Sequence, residues 1–202
     1  MKHLVDPKNG NTAAKSVWHA DPKMETLVLD IVEKVAPARF VETGTNMGWT
    51  VHWMAKWFPN LWIHTVENDE EYYRLARENM EEVDSFRIQR TLGDSREFLR
   101  SHLLDDGLSF FWLDAHFWDD HPLEEECRIV SQLPRYVVLV DDFHCGEDFP
   151  GDPKSPAMVT SLGSKYWRPN YSYQHGYSGY ALFLKGVDYV PPATMSKHES
   201  RV

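Results

Sequence analysis

The stretch 41-VETGTNMGWTVHWMA-55 lies where a short apolar run gives way to a helix-like pattern. Within it, Gly44 and Gly48 flank Asn46, and Glu42 stands at the exit of the apolar run. A glycine has no Cβ and lets backbone come close to a ligand, and asparagine adopts positive φ more readily than most residues. The stretch therefore predicts a strand, a tight turn and a helix whose first N–H groups point towards a bound molecule.

The composition sets the broad class of the protein. The chain has 202 residues, of which 42% are hydrophobic, enough for one domain with a sizeable core. Its net charge of −10 argues against a nucleic acid as its main partner. No apolar run approaches the roughly 18 residues that cross a bilayer, and the polar start does not resemble a signal peptide. The two cysteines, Cys127 and Cys145, form no disulfide framework, so we expect free thiols in a cytoplasmic protein.

Apolar strands alternate with amphipathic helices along most of the chain. The spacing predicts a first helix over residues 22–36, with Asp21 as its cap and Pro22 at its first position. Strands are then predicted from residue 40 and over 61–66, 86–89, 108–113 and 136–140, with helices over 48–58, 69–80, 95–103 and 122–133. Nearly continuous apolar strands that alternate with helices indicate a parallel sheet covered on both faces.

The C-terminal part is predicted to complete the sheet in a different way. Residues 143–156 have the composition of a loop, and residues 157–167 that of a short helix. Two further strands, 171–174 and 180–184, flank a turn rich in glycine and are expected to form an antiparallel hairpin.

These patterns define an α/β fold class. We predict one Rossmann-like, doubly wound domain over residues 1–202, with a mostly parallel, seven-stranded sheet that ends in the antiparallel hairpin. Residues 1–20 form an N-terminal extension, residues 143–168 a variable loop and helix beside the site, and residues 190–202 a frayed tail.

Acidic residues follow every strand of the predicted parallel sheet. Ligands of open α/β sheets bind at the carboxyl ends of the strands, where the strand order reverses. The residues at these ends are Glu42, Glu67-Asn68-Asp69, Gly93-Asp94-Ser95, Asp114-Ala115-His116 and Asp141-Asp142-Phe143-His144. Because charges of one sign repel each other, so many acids at one edge indicate a ligand site rather than a solvated surface.

Three of these strand ends fit a nucleoside. Glu67 lies 25 residues after Glu42, near the spacing at which an acid reaches a ribose diol, and a carboxylate accepts two hydroxyl hydrogen bonds. Asp94 can accept from an exocyclic amine such as that of adenine. The Gly-x-Gly-x-x-Gly pattern of dinucleotide sites is absent, and Glu42 would repel a pyrophosphate. Since Glu42 can accept from an ammonium group, a ligand with an adenosine end and a cationic amino-acid end fits best.

These residues resemble the motifs of the class I S-adenosylmethionine (SAM)-dependent methyltransferases. The segment Glu42-Thr-Gly-Thr-Asn-Met-Gly48 is similar to their Glu/Asp-x-Gly-x-Gly-x-Gly motif, with Asn46 in place of the middle glycine. The resemblance covers about residues 25–185 and implies an enzyme that uses SAM. The cofactor-binding residues that it implies are Glu42, Gly44, Thr45, Asn46, Gly48, Thr50, Glu67, Asn68, Asp94, Ser95 and Asp114.

A narrower resemblance is to bacterial O-methyltransferases that modify small molecules such as sugars and antibiotics. The segments that carry it are Glu42-Thr-Gly-Thr45, Phe111-Trp-Leu-Asp-Ala-His116, Pro122-Leu-Glu-Glu125 and Val140-Asp-Asp142. In some of those enzymes the acid after the fourth strand and a later Asp-Asp pair hold magnesium. The resemblance thus implies Asp114, Asp141 and Asp142 as metal ligands, although Ala115-His116 replaces the Gly-Asp expected after the first aspartate.

Methyl transfer to a hydroxyl requires the acceptor oxygen to lose its proton. Donor and acceptor must be held about 3 Å apart, and a base or a metal must promote deprotonation. Asp114, His116 and His144 are the candidate catalytic residues because they follow the fourth and fifth strands, and histidine titrates near neutral pH. A divalent cation such as Mg²⁺, bound through carboxylate oxygens, is the other scheme, and the sequence leaves both open.

Two other functions also remain open. The residue types of a metal-dependent hydrolase are present in Asp114, His116, His121, Asp141, Asp142 and His144, but a hydrolase leaves Glu42, Glu67 and Asp94 unexplained. A non-catalytic nucleoside-binding module would keep the same cofactor residues. The expected partner is a small-molecule acceptor, with no nucleic acid and no membrane, and a homo-oligomer is compatible with the sequence.

Overall fold

The computed structural model describes residues 2–83, 85–102, 107–115, 121–143, 156–171 and 179–200. Its strands are β1 (Arg39–Thr43), β2 (Trp62–Glu67), β3 (Ile88–Leu92), β4 (Ser109–Leu113), β5 (Tyr136–Val140), β6 (Lys165–Pro169), β7 (Ala181–Lys185) and β8 (Met195–Glu199). Its helices are α1 (Ala13–Ser16), α2 (Pro22–Val35), α3 (Trp49–Trp57), α4 (Glu70–Met80), α5 (Ser95–His102) and α6 (Leu123–Val130). Short 3₁₀ turns occupy Val17–Ala20 and Pro156–Leu162.

All eight strands belong to one mixed sheet in the order β3-β2-β1-β4-β5-β7-β6-β8. Strands β1 to β5 are parallel, and β7, β6 and β8 are added in antiparallel pairs. The strand order reverses between β1 and β4, which places the ligand crevice of an open α/β sheet at their carboxyl ends. The structure confirms the predicted α/β fold, with a mostly parallel sheet that ends in antiparallel strands.

Alternate residues of each central strand pack into two separate cores, one on each face of the sheet. Phe110 and Trp112 of β4 join the core that α2 and α3 cover. Phe111 and Leu113 join the core that α5 and α6 cover. Successive side chains of a strand point to opposite faces, so a strand buried on both faces needs an unbroken apolar run. Each such buried side chain contributes roughly 1.5–3 kcal/mol, which holds the helices against the sheet.

Two predictions from composition concern the cysteines and membrane-spanning helices. Cys127 is a buried thiol in the α5–α6 core and is in no disulfide, as predicted, whereas Cys145 lies outside the described residues. Among the helices that the structure describes, none has the length and apolar character needed to cross a membrane.

The C-terminal part differs from its prediction at two places. The sequence predicts a helix over 157–167, whereas a 3₁₀ turn is followed by strand β6. Strand β6 is the first strand of the hairpin, and it lies before the strand predicted over 171–174. Residues 172–174 of that predicted strand lie outside the described residues. Part of the predicted frayed tail, 190–202, forms the eighth strand, β8, against β6. The Tyr166 ring explains both differences, because it is buried and stacks on Phe183 of β7 and His198 of β8.

The N-terminal extension is attached to the domain at both of its ends. The backbone N–H of His3 donates to the Asn79 side chain of α4 at 2.6 Å. At the other end, the buried Trp18 ring meets Trp112 of β4 edge-to-face, with 5.2 Å between ring centroids. The extension therefore runs from α4 to the central strands and brings residues 17–20 close to the sheet.

Candidate cofactor and acceptor site

Backbone hydrogen bonds beyond the ends of the strands align the residues that follow them. The N–H of Asp114, after β4, donates to the carbonyl of Thr43 in β1 at 3.1 Å. The N–H of Asp141, after β5, donates to the carbonyl of Leu113 in β4 at 3.1 Å. The residues after β1, β4 and β5 therefore lie side by side at the crevice, as the sequence predicts.

The turn between β1 and α3 adopts the left-handed backbone that its sequence predicts. The φ angles are +85° at Gly44, +49° at Asn46 and +74° at Gly48. A Cβ on Gly44 would lie 2.9 Å from the carbonyl oxygen of Asp114, and one on Gly48 would lie 3.2 Å from the Cβ of Ala76. Close packing within the protein therefore requires both glycines, a reason that the sequence does not reveal.

The N–H groups at the start of this turn bind the end of β2. Those of Gly44 and Thr45 donate to the carbonyl of Val66, at 3.0 and 3.1 Å. That of Asn46 donates to the Glu67 carboxylate at 2.6 Å. The turn and the end of β2 are thus one hydrogen-bonded unit.

Glu67, the predicted ribose acid, is held rigidly by three backbone donors. Besides the bond from Asn46, its Oε1 accepts from the N–H groups of Asn68 and Asp69, both at 3.0 Å. The side chain is only 6% exposed, and burial raises the pKa of Glu67, while the three N–H donors oppose that rise. A carboxylate offers about four acceptor positions, so one position remains for a ligand hydroxyl.

Glu42 is a buried acid with hydroxyl neighbours. Its Oε2 accepts from the Thr65 hydroxyl at 2.7 Å, Thr50 also bonds to it, and the residue is 1% exposed. Burial raises the pKa of Glu42 to about 8, the nearby Glu67 adds to the rise, and the two hydroxyl bonds oppose it. A positively charged group at this carboxyl would favour the ionised form. The binding of an ammonium group by Glu42, directly or through water, stays a prediction.

Asp94 is engaged by its own helix. It precedes α5 and accepts from the Arg96 backbone N–H at 2.8 Å and from the Arg96 guanidinium at 2.5 Å. This ion pair holds the pKa of Asp94 below its usual value. An adenine amine would have to share the Asp94 carboxylate with Arg96, a contact that the sequence does not predict. Ser95 is buried at the first position of the helix.

The contacts join most of the predicted cofactor residues, and Asp94, Ser95 and Asp114 lie outside this unit. The unit that surrounds the turn contains Glu42, Gly44, Thr45, Asn46, Gly48, Thr50, Glu67 and Asn68. Thr45 joins it through its hydroxyl, which bonds to Thr65. The candidate catalytic residues His116 and His144 lie outside the described residues, so their roles stay predictions.

A group of one histidine and two aspartates lies at the end of β5. His19 Nε2 is 2.7 and 2.9 Å from the two carboxylate oxygens of Asp141. One ligand atom from each of His19, Asp141 and Asp142 lies within 4.8 Å of the others. Within the described ranges this is the one group of three or more His, Cys, Asp or Glu with metal-site spacing, and Asp114, the third predicted ligand, is not in it.

Sequence reasoning missed His19 because the contact spans 122 positions of the chain. Nothing in the local pattern of residues 17–20 marks a ligand. The geometry of the N-terminal extension, which only packing decides, brings this histidine to the site.

Comparison with known proteins identifies the fold. No protein-family model and no curated protein sequence matches the chain. An O-methyltransferase from Bacillus cereus, solved in complex with SAH, is similar with a TM-score of 0.62 and 17% identity, over 82% of this chain and 81% of that one. The O-methyltransferase TomG from Streptomyces achromogenes, involved in tomaymycin synthesis and solved with SAM, has a TM-score of 0.59 and 19% identity. The match covers 86% of this chain and 88% of that one. A spermidine synthase from Thermotoga maritima has a TM-score of 0.60 and 16% identity, over 81% of this chain and 59% of that one.

The chain therefore has the fold of a class I methyltransferase-like protein, as the resemblance in its motifs implies. Identities of 16–19% establish the fold alone. The reaction has to be argued from the residues at the carboxyl ends of the strands.

Proposed function

We propose that the protein transfers the methyl group of SAM to a hydroxyl oxygen of a small-molecule acceptor. The observation that carries the proposal is the pair of buried acids, Glu42 and Glu67, on either side of the turn from Gly44 to Gly48. This arrangement lies at the switch point of the strand order, where ligands of such sheets bind. SAM would supply a methyl group made reactive by its sulfonium charge.

Each end of the cofactor has a matching group in this proposal. Glu67 accepts a hydrogen bond from a ribose hydroxyl. The three backbone N–H groups that donate to its carboxylate keep it in place for that contact. Glu42 accepts from the ammonium group of the amino-acid end, which removes the cost of an isolated buried charge. Asp94 and Ser95, after β3, remain the proposed contacts for adenine.

The acceptor oxygen would lose its proton beside the ends of β4 and β5. Asp114 directly follows β4, and it is the one candidate base that lies within the described residues. His116 and His144 stay candidates for the same role. A divalent cation that lowers the pKa of the acceptor hydroxyl is the second scheme, with Asp141 and Asp142 as its ligands and Asp114 as the third predicted from the sequence.

The fold alone does not choose the group that is transferred, since spermidine synthases share it. The product must therefore be measured. We would titrate the purified protein with SAM by calorimetry and then incubate it with SAM carrying a deuterated methyl group and a panel of phenols, catechols and sugars. The expected result is saturable binding and a labelled O-methyl product, with S-adenosylhomocysteine formed in equal amount.

Other outcomes of the same experiment support other functions. Binding of SAM without turnover on any hydroxyl would favour a non-catalytic nucleoside-binding module. No binding of SAM at millimolar concentration would reject the cofactor site altogether and leave a hydrolase to be considered.

A further inference from the structure

We infer that His19, Asp141 and Asp142 form a site for a divalent first-row transition-metal ion rather than for Mg²⁺. The N-terminal extension would supply the nitrogen ligand, and the end of β5 the two carboxylates. The inference deepens the proposed function, because a metal here would lie beside the acceptor. Metal binding can nevertheless be measured without any methyl transfer.

The spacing of the ligand atoms fits one ion. Two ligands that each lie about 2.1 Å from an ion, at right angles, are about 3.0 Å apart. His19 Nε2 lies 2.7 Å from Asp141 Oδ1, and the ligand atoms of all three residues lie within 4.8 Å of one another. Small side-chain rotations would therefore bring the three groups around a common centre.

The charges of the group favour a cation. Asp141 is 1% exposed, and a cation held between its carboxylate and the His19 imidazole would offset the cost of burying the carboxylate charge. Asp142 follows it directly in a chain whose net charge is −10. His19 is 30% exposed, so an ion could reach the carboxylates from the side of the histidine.

The segment around His19 is fixed on both sides. Trp18 is buried in the core, and the N–H of Asp21 donates to the carbonyl of Trp18 at 2.8 Å. Asp21 also caps α2 and accepts from the Tyr171 hydroxyl at 2.5 Å. Between these points the backbone is left-handed at three successive residues, with φ of +49°, +53° and +55° from Trp18 to Ala20. The surrounding contacts hold this unfavourable conformation, and it aims the imidazole at Asp141.

The donor set decides which ion is preferred. Mg²⁺ binds oxygen ligands and keeps several waters, whereas imidazole suits transition metals such as Fe²⁺, Ni²⁺ and Zn²⁺. One imidazole nitrogen with two carboxylates should therefore favour a transition metal. Without the imidazole, the same two carboxylates would lose that preference.

The test is a titration of the full chain, freed of any histidine tag, with Co²⁺ followed by its visible absorption, and with Mg²⁺ in competition. We expect His19→Ala to weaken Co²⁺ binding by about tenfold or more and to change Mg²⁺ binding much less. A second variant, His19→Asn, replaces the nitrogen with an amide oxygen and should lower the Co²⁺ to Mg²⁺ preference. His3→Ala is the matched control, because His3 is also a half-exposed histidine of the extension and lies 2.8 Å from an acid, Glu78.

Circular dichroism would verify folding, and SAM titration of the same samples separates this inference from the proposed function. Unchanged Co²⁺ and Mg²⁺ affinities in both His19 variants, or no Co²⁺ binding by the unmodified chain, would overturn the metal site even if SAM binds. Co²⁺ binding that depends on His19 but not on His3 supports the site, even if SAM fails to bind.

Discussion

Glu67, at the end of β2, accepts a hydrogen bond from the backbone N–H of Asn46 at 2.6 Å. This contact links the glycine turn after β1 to the acid predicted to hold ribose. Two motifs that are separate in the sequence are therefore one structural unit. A ligand that binds one of them meets a geometry set partly by the other.

Glu67→Gln should weaken SAM binding. The amide keeps the size of the side chain but loses the charge that strengthens hydrogen bonds from hydroxyl and N–H donors. A hydrogen bond to a charged group contributes about 1.5–3 kcal/mol, so the expected loss of affinity is roughly 10- to 100-fold, measured by calorimetry. Glu81→Gln, at an exposed glutamate just after α4, should bind SAM like the unmodified protein. Equal affinities of the two variants would rule out a contact between Glu67 and the cofactor.

Glu42→Gln should change how stability depends on pH. The pKa of Glu42 rises from 4.5 to about 8 on folding, so between these values the folded protein keeps a proton that the unfolded chain releases. Stability is therefore lost as pH rises through this window. The glutamine variant lacks this titration and should gain stability relative to the unmodified protein between pH 5 and 9, with the gain levelling off above about 8. Urea denaturation across this pH range gives the free energy of unfolding of both proteins. A difference between the two free energies that does not vary with pH would show that Glu42 ionises normally.

Gly44→Ala should destabilise the protein more than Gly10→Ala. Both glycines have positive φ, +85° and +74°, so each substitution carries the left-handed cost of roughly 1–2 kcal/mol. At Gly44 the new Cβ also meets the Asp114 carbonyl oxygen at 2.9 Å, whereas nothing lies within 4 Å at Gly10. The clash should add an overpacking cost of roughly 1–3 kcal/mol. Free energies of unfolding in urea give both values, and equal losses would mean that β1 and β4 are not closely packed at this point.

Much of the fold is predictable from the sequence because its strands are buried on both faces. The apolar run of β4, Phe110–Leu113, follows from that burial, and β5, Tyr136–Val140, carries a similar run. Strand β8 carries no such signal. Its residues Met195–Glu199 are mostly polar, and it is held through β6 and the stacking of Tyr166 on His198, a contact that only tertiary structure provides.

The sequence predicts those parts of the candidate site that depend only on residues at the end of their own strand. Glu42 and Glu67 were found because the end of a strand is where such a sheet places its ligand groups. The ion pair of Asp94 with Arg96 could have been suspected from their spacing of two residues, since both lie at the start of one helix. The approach of His19 to Asp141 could not be predicted, because it depends on the path of an extension with a left-handed backbone.

Removal of divalent metal should lower methyl transfer. If a cation promotes loss of the acceptor proton, dialysis against EDTA should reduce the rate by roughly tenfold or more, and Co²⁺ should restore it better than Mg²⁺. The rate is followed by the S-adenosylhomocysteine formed. Full activity in EDTA would exclude the metal scheme and leave deprotonation to Asp114 or to the histidines that follow β4 and β5.

A crystal structure of the protein with S-adenosylhomocysteine tests the central claim most directly. We expect a ribose hydroxyl to lie within about 3 Å of the Glu67 carboxylate and the amino-acid end to approach Glu42 and the turn from Gly44 to Gly48. A nucleoside bound away from the carboxyl ends of β1 and β2, or with Glu67 turned from the ribose, would contradict it.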